Sequence, residues 1–223
     1  DDERHLILQC ENFFNYVDID FESIWSDRTQ PFGRFLSQER MYRTKCLKQA
    51  DVLALMYLFP GQFSCKELEE AYNYYEKITT HDSSLSHYVH AIIAAWIGKM
   101  EESWKFFMKS AFLDLDSSKG NAAEGIHIAN SGGLWQIVVM GYAGLVPVYL
   151  TDILTLHPRL PAKWEEIEFP LVWKGKKIRI AITQNTVRIE NYSEEAFGVK
   201  IHNERYSVPQ EDFLIVWYES VVQ

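Results

Sequence analysis

The chain has 223 residues, of which 47% are hydrophobic and 24% are charged, and its 22 basic and 31 acidic residues give a net charge of −9. These proportions support a hydrophobic core and exclude a disordered tail, while the negative charge disfavours nucleic acid as a partner. The apolar stretch at 137–150 contains two glycines and is too short to span a bilayer, so we expect no membrane partner. Three widely spaced cysteines form no disulfide framework, which favours a cytoplasmic location.

The first two thirds of the chain are predicted to be helical. Apolar residues recur at three- and four-residue spacing between residues 6 and 14, and residues 47–56 form a helix that is apolar on most sides. Ser64, followed three residues later by Glu67, is a capping box that opens another helix running to about Lys77.

Short links between the next helices indicate stacked helical hairpins. Two helices are predicted at residues 85–97 and 101–113, with a glycine between them. Gly132 and Gly133 are predicted to interrupt the following segment before an apolar helix at residues 134–145.

The last third is predicted to be a small antiparallel β domain. The proline-rich stretch 157–161 is typical of a linker, and apolar and polar residues alternate along residues 178–183. Lys174-Gly175 and residues 184–185 are predicted hairpin turns. Further strands are predicted at residues 187–190, 197–201, 205–208 and 213–217.

Two segments combine the features of an anion site. Residues 80–86 place hydroxyls and a histidine before a helix, whose N-terminus attracts anions, although Asp82 or Ser83 could simply cap that helix. Residues 124–135 contain a Gly-Gly pair that would let a ligand approach the backbone, although the pair could equally be a break that serves packing.

Other polar residues are less informative. Lys48 and Gln49 fall in the predicted apolar helix, so the lysine either extends to solvent and pairs there or faces a polar pocket. His87 and His90 lie three residues apart, but no further cluster of ligands supports them, and we expect no metal site.

Three groups of residues together resemble a known family. They are Lys-Gln-Ala-Asp-Val at 48–52, Tyr-Glu at 75–76 with His-Asp-Ser-Ser-Leu-Ser at 81–86, and Glu-Gly-Ile-His at 124–127 with the following Gly-Gly pair. In this order and spacing they are similar to the maltose, kojibiose and trehalose phosphorylases, the inverting disaccharide phosphorylases of glycoside hydrolase family 65. The resemblance covers nearly the whole chain.

The resemblance implies a fold and a domain organisation. The chain is expected to be mainly α with a β tail, namely the later helices of an (α/α)6 barrel followed by a small antiparallel β-sandwich. Residues 1–150 would belong to the catalytic barrel, residues 151–163 would form a linker, and residues 164–223 would form the C-terminal sandwich.

The resemblance also implies the site residues. Lys48, Gln49 and Glu76 are expected to bind the sugar. The phosphate site is expected to be lined by Ser83, Ser84, His127, Gly132 and Gly133. Inorganic phosphate would be the co-substrate, with neither a metal ion nor an organic cofactor.

The chemistry implied by the family needs one group that this sequence lacks. Phosphate replaces the activated water of an inverting glycosidase, so a single carboxylic acid suffices to protonate the leaving oxygen. The family carries that acid in a Gly-Pro-Asp-Glu-type motif, which this sequence does not contain.

The chain also begins at Asp1, without methionine, so we expect a fragment of a longer enzyme that is inactive alone. Its expected partners are a disaccharide, inorganic phosphate, the remainder of the barrel and, as in many family members, a second copy. The alternatives are a hydrolase of the same family and a non-catalytic module that binds carbohydrate or a partner protein.

Overall fold

A computed structural model of the chain describes residues 6–116, 125–147 and 149–219. The chain forms two compact units, Asp1–Trp135 and Gln136–Gln223. The helices are α1 (Phe21–Ile24), α2 (Gln38–Met41), α3 (Asp51–Leu58), α4 (Cys65–Ile78), α5 (Ser86–Trp96), α6 (Met100–Ala111) and α7 (Ile128–Gln136). The strands are β1 (Leu154–Leu156), β2 (Glu166–Trp173), β3 (Lys176–Thr183), β4 (Thr186–Asn191), β5 (Phe197–Ile201), β6 (Glu204–Val208) and β7 (Phe213–Trp217). Among the described residues, no helix has the length and apolarity needed to cross a membrane.

Helix α5 is the central helix of this unit, because α3, α4 and α6 each pack against it. The predicted capping box of α4 is confirmed: Ser64 Oγ accepts the amide of Glu67 at 3.3 Å, and a Glu67 carboxylate oxygen accepts the amide of Ser64 at 2.7 Å. Helices α5 and α6 form the predicted antiparallel hairpin around Gly98, which has a φ of +82°. Ser103 of α6 donates a buried hydrogen bond of 2.7 Å to the carbonyl of Ala91 in α5, which ties the two helices together.

The segment before α3 is much less helical than predicted. Besides the one-turn helices α1 and α2, it holds two short 3-10 turns, Phe13–Asn15 and Phe32–Arg34. Its apolar residues serve a small separate core in which Phe32, Met41 and Cys46 are buried. The helical prediction was wrong at residues 6–14 because their apolar side chains do not line one helix face: the Phe13 ring packs against α4, with its centroid 6.1 Å from that of Tyr75.

Helix α3 begins after Lys48 and Gln49, not before them. Leu47 accepts the amide of Thr80 and donates its own amide to the carbonyl of Ile78, both at 2.8 Å. This backbone pairing holds the chain extended up to Lys48, whose side chain is exposed. The prediction of a lysine within an apolar helix was therefore wrong.

Helix α7 contains the glycine pair that was predicted to interrupt it. Gly132 and Gly133 both lie inside the helix, and a π-helical segment, Ile137–Tyr142, follows directly. Glycine costs about 1 kcal/mol relative to alanine in a helix interior, so it weakens a helix without forbidding one. The predicted apolar helix at residues 134–145 is thus divided between the end of α7 and the π-helical segment.

The second unit is a β-sandwich whose two sheets share one core. One sheet has the strand order β2-β3-β4-β7 and the other β1-β5-β6. The predicted alternation in β3 is confirmed, because Ile178, Ile180 and Ile182 are all buried in the core that the two sheets share. Lys174 and Gly175 form the predicted turn between β2 and β3 with φ values of +48° and +82°, as a two-residue hairpin turn requires.

One strand pair departs from the predicted antiparallel pattern. Strand β1 lies inside the segment predicted as a linker, and it pairs in parallel with β5 through Leu154 opposite Val199 and Leu156 opposite Ile201. Leu154 and Leu156 are both fully buried. The segment forms a strand because its leucines complete the sandwich core.

Candidate functional site

The loop that leads into α5 is fixed to a neighbouring loop by Asp82. Its carboxylate accepts the backbone amides of Phe32 at 2.9 Å and Gly33 at 2.7 Å. Asp82 therefore caps the 3-10 turn at residues 32–34 and leaves α5 uncapped. The sequence left open whether Asp82 caps the helix that follows it. Asp82 does act as a cap, but for the 3-10 turn and not for α5.

Helix α5 begins with two half-buried serines before it and no side-chain cap. Leu85 occupies the N-cap position, and Ser83 Oγ accepts the amide of Leu85 at 3.3 Å. Ser83 and Ser84 thus place two hydroxyls at the positive end of an 11-residue helix.

A cluster of histidines lies beneath this loop. His81 has a φ of +58° and its Nδ1 lies 2.9 Å from Ser86 Oγ, while the ring centroids of His81 and His90 are 4.5 Å apart. Burial lowers the pKa of His90 to about 4 and strongly lowers the pKa of His81, so both rings are neutral at pH 7. In the described parts of the chain, no group of three His, Cys, Asp or Glu side chains is placed to hold a metal ion.

The two glycines of α7 have different surroundings. A Cβ on Gly133 would come within 2.5 to 2.8 Å of the Cγ, Cδ1 and Cβ of Tyr88 in α5, so glycine is needed there for close helix packing. A Cβ on Gly132 would meet nothing within 4 Å. The space beside the Gly133 Cα is therefore occupied by Tyr88, whereas the space beside the Gly132 Cα is open.

His127 stands immediately before α7 and is held by Asp114. Its Nδ1 lies 2.5 Å from one carboxylate oxygen of Asp114, and its backbone amide donates to the other oxygen at 3.0 Å. The hydrogen bond from His127 holds the pKa of the Asp114 carboxyl below its usual value. The pair is partly buried, with 26% of the His127 side chain and 18% of the Asp114 side chain exposed.

The start of α7 is fixed to the end of α6. Asn130 Nδ2 donates to the carbonyl of Ser110 at 2.9 Å, and Ser110 Oγ donates to Asn130 Oδ1 at 2.5 Å. Because α5 and α6 are antiparallel, the start of α5, the end of α6 and the start of α7 lie at one end of this helical group. The structure therefore brings the Ser83–84 segment and the His127 segment to the same end. Glu124, the first residue of the predicted 124–135 segment, lies outside the described residues.

The predicted sugar-binding residues flank the same loop. The backbone pairing of Leu47 places Lys48 and Gln49 beside residues 78–80, which lead into the Ser83–84 segment. Gln49 Nε2 donates to Asp51 at 2.8 Å, whereas Lys48 is exposed. Glu76 is half-buried near the end of α4, two residues before the paired stretch.

Three residues at this end were missed by the sequence analysis. Asp114 lies thirteen positions from His127, and no motif links them. Tyr88 explains Gly133 only once α5 and α7 are seen in contact. Lys109, whose ammonium lies 5.1 Å from the Phe106 ring, adds a positive charge near the end of α6. A basic residue in the last turn of a helix was the one readable signal among the three.

Family models match both parts of the chain. The glycosyl hydrolase family 65 central catalytic domain matches residues 1–136, and the family 65 C-terminal domain matches residues 150–208. The chain therefore belongs to glycoside hydrolase family 65. The predicted family and the predicted mainly α fold with a β-sandwich tail are both confirmed.

Relatives of known activity share this stretch of sequence. An alpha,alpha-trehalose phosphorylase from Thermoanaerobacter brockii is 44% identical over 83% of this chain and 24% of its own length. A kojibiose phosphorylase from Caldanaerobacter subterraneus is 34% identical over 85% of the chain and 24% of its own length. A solved structure of a putative kojibiose phosphorylase from the human microbiome matches 98% of the chain and 28% of its own length, with a TM-score of 0.86 and 33% identity. The chain thus spans about a quarter of the length of the relatives it matches.

Proposed function

We propose that this chain is part of an inverting disaccharide phosphorylase, which converts an α-glucosyl disaccharide and phosphate into β-glucose 1-phosphate and a free sugar. One observation carries the proposal: the serine hydroxyls at the start of α5 and the imidazole at the start of α7 lie at one end of one helical group. Helix N-termini, hydroxyls and a histidine are the groups that bind a phosphate dianion.

The proposed roles follow the family motifs. Ser83, Ser84 and His127 hold phosphate, together with the backbone at Gly132 and Gly133. Because Tyr88 packs on Gly133, the backbone of Gly132 is the more accessible of the two to phosphate. The sugar is bound by Lys48, Gln49 and Glu76, from the segments that flank the same loop.

The proposed reaction needs one proton donor. A phosphate oxygen attacks the anomeric carbon as the glycosidic C–O bond breaks, and a carboxylic acid gives its proton to the leaving sugar oxygen. Charge-assisted hydrogen bonds would hold the phosphate in line and reduce the entropic cost of the attack. Since the family's acidic motif is absent from these 223 residues, we propose that the chain alone does not turn over disaccharide.

The proposed setting is a longer, cytoplasmic, homodimeric enzyme. In it, residues 1–150 contribute to the (α/α)6 barrel, 151–163 link the domains and 164–223 form the sandwich. Phosphate is the co-substrate, and the proposal includes no cofactor.

The test compares the full-length protein with the 223-residue chain. Both are supplied with maltose, kojibiose, nigerose and trehalose, with and without inorganic phosphate, and glucose 1-phosphate and glucose are measured. Glucose 1-phosphate that forms only with phosphate, and only from the full-length protein, is the expected result. Glucose release that does not need phosphate would instead identify a hydrolase, and the absence of turnover in both would favour a binding module.

A paired substitution tests the phosphate site itself. Ser84→Ala in the full-length protein is expected to raise the KM for phosphate about tenfold while the KM for disaccharide changes little, as the loss of one hydrogen bond to a charged ligand predicts. Ser64→Ala, which removes a serine from the start of α4 instead, is the matched control and should leave both KM values unchanged. Equal effects of the two substitutions would contradict the assignment.

A further inference from the structure

We propose that Asp114 is a positioning residue for phosphate, acting through His127, and this inference rests on the proposed function. The carboxylate accepts two hydrogen bonds from the same histidine, one from ring Nδ1 at 2.5 Å and one from the backbone amide at 3.0 Å. Two bonds to one residue fix both the start of α7 and the rotation of the imidazole ring.

The geometry also fixes which ring nitrogen faces a ligand. A carboxylate accepts hydrogen bonds, so Nδ1 must carry the proton in this pair. Nε2 is then the ring nitrogen left for phosphate, where its lone pair accepts a hydrogen bond from the P–OH group of monohydrogen phosphate. An acidic partner that orients a histidine in this way sets its tautomer, which is how such pairs serve catalytic and metal-binding histidines.

The surroundings of the pair make the orientation firm. Asn130, three residues into the same helix end, is held by Ser110 through two further hydrogen bonds of 2.9 and 2.5 Å. Asn130 and Ser110 are almost fully buried, at 1% and 0% exposure. The backbone of His127 is therefore anchored. The rotation of its ring is the freedom that remains, and Asp114 restricts it.

Asp114→Asn keeps the size of the side chain at position 114 but removes part of its ability to orient His127. The two bonds from His127 go to different oxygens of Asp114, and Asp114→Asn replaces one of those oxygens with an NH2 donor, so it cannot keep both bonds in their present places. Asp114→Glu keeps two acceptor oxygens on a longer side chain. Asp18→Asn is the matched control, because it neutralises an aspartate in another ion pair. The Asp18 carboxylate lies 2.8 Å from the Lys45 ammonium, and the Asp18 side chain is 85% exposed.

The experiment measures steady-state kinetics of the full-length protein in both directions. Asp114→Asn is expected to raise the KM for inorganic phosphate, and for β-glucose 1-phosphate in reverse, by about tenfold to hundredfold, the range found when the partner that orients a metal-binding histidine is removed. The KM for disaccharide and for the acceptor sugar should stay within about twofold of the parent. Asp114→Glu should recover part of the phosphate affinity, and Asp18→Asn should match the parent.

Each outcome decides between the possibilities. If the parent needs phosphate but Asp114→Asn leaves its phosphate KM unchanged, or alters the KM of every substrate equally, the positioning role is wrong and the proposed function stands. If Asp114→Asn does not fold, Asp114→Ser takes its place, and a phosphate KM equal to that of the parent in Asp114→Ser overturns the role. If the parent releases glucose without phosphate, the proposed function fails and this inference fails with it.

Discussion

Gly132 and Gly133 in α7 offer a direct comparison of open and filled space. Gly133→Ala would press a methyl group against the Tyr88 ring and Cβ, at distances from 2.5 to 2.8 Å, and is expected to lower the free energy of unfolding by about 1–3 kcal/mol. Gly132→Ala is the matched control. It adds a methyl group to open space in a helix and should raise stability by up to about 1 kcal/mol. Chemical denaturation of both variants measures the difference, and a Gly133→Ala protein as stable as Gly132→Ala would contradict the packing.

The buried histidines predict how stability depends on pH. The pKa of His90 is lowered by burial from 6.5 to about 4, so the ring is neutral in the folded state and gains a proton on unfolding below pH 6.5. The unfolded state then binds more protons, and stability falls as pH drops from 6.5 towards 4. Each such histidine contributes a slope of up to about 1.4 kcal/mol per pH unit.

The measurement is the unfolding free energy between pH 5 and 6.5, which lies above the usual range of carboxylate titration. His90→Phe removes one titrating group and should flatten the slope. His81 contributes in the same direction, because its pKa is also lowered by burial and by the neighbouring His90 and His87. A slope that is identical in the parent and in His90→Phe would show that His90 is not buried and neutral.

At the scale of single elements, the capping box of α4 can be tested alone. Ser64→Ala removes the oxygen that accepts the Glu67 amide at 3.3 Å and is expected to cost about 1 kcal/mol of stability. Ser37→Ala is the matched control, because Ser37 occupies the N-cap position of α2 without a side-chain cap hydrogen bond and should cost less than half as much. Thermal unfolding compares them, and an equal loss in the two variants would argue against a specific cap on α4.

The turn between β2 and β3 tests the sandwich in the same way. Gly175 has a φ of +82°, so Gly175→Ala is expected to lower stability by about 1 kcal/mol or more. Lys174 has a φ of +48°, which asparagine adopts more readily, and Lys174→Asn should stabilise the turn by a few tenths of a kcal/mol. Its lost ion pair with Asp152 joins exposed groups and should matter little. The order of the two unfolding midpoints checks the prediction.

Elements were predictable where the local signal was complete. The capping box, the α5–α6 hairpin and the alternation in β3 each carry their own start, end and period, and the structure has all three. The positions of Lys48 and of Gly133 were not readable. The first depends on the backbone pairing of Leu47 with residues distant in sequence, and the second on a tyrosine from another helix. The motifs of the candidate site were readable from the sequence. That they lie at one end of the same helical group was not, because it depends on tertiary contacts such as that of Ser110 with Asn130.

For the whole molecule, the acidic composition predicts how solubility varies with pH. The formal charge is −9 at pH 7, and the isoelectric point from the sequence is about 5.3. Electrostatic repulsion between molecules vanishes near that pH, so association is expected to be strongest there and to weaken on either side. Light scattering of the chain from pH 4.5 to 8 measures this, and scattering that rises steadily towards pH 8 would contradict it.

The parallel pairing of β1 with β5 has a consequence for the order in which the chain folds. Leu154 meets Val199, so the pair closes a loop of about 45 residues that contains three other strands. Closing so long a loop carries an entropic cost that must be met before the contact stabilises anything. The neighbouring hairpins β2-β3 and β3-β4 need much shorter closures, so they are expected to form first and to provide the surface on which β1 docks. The segment that joins the helices to the sandwich is therefore completed late, after the domain that it leads into has begun to fold.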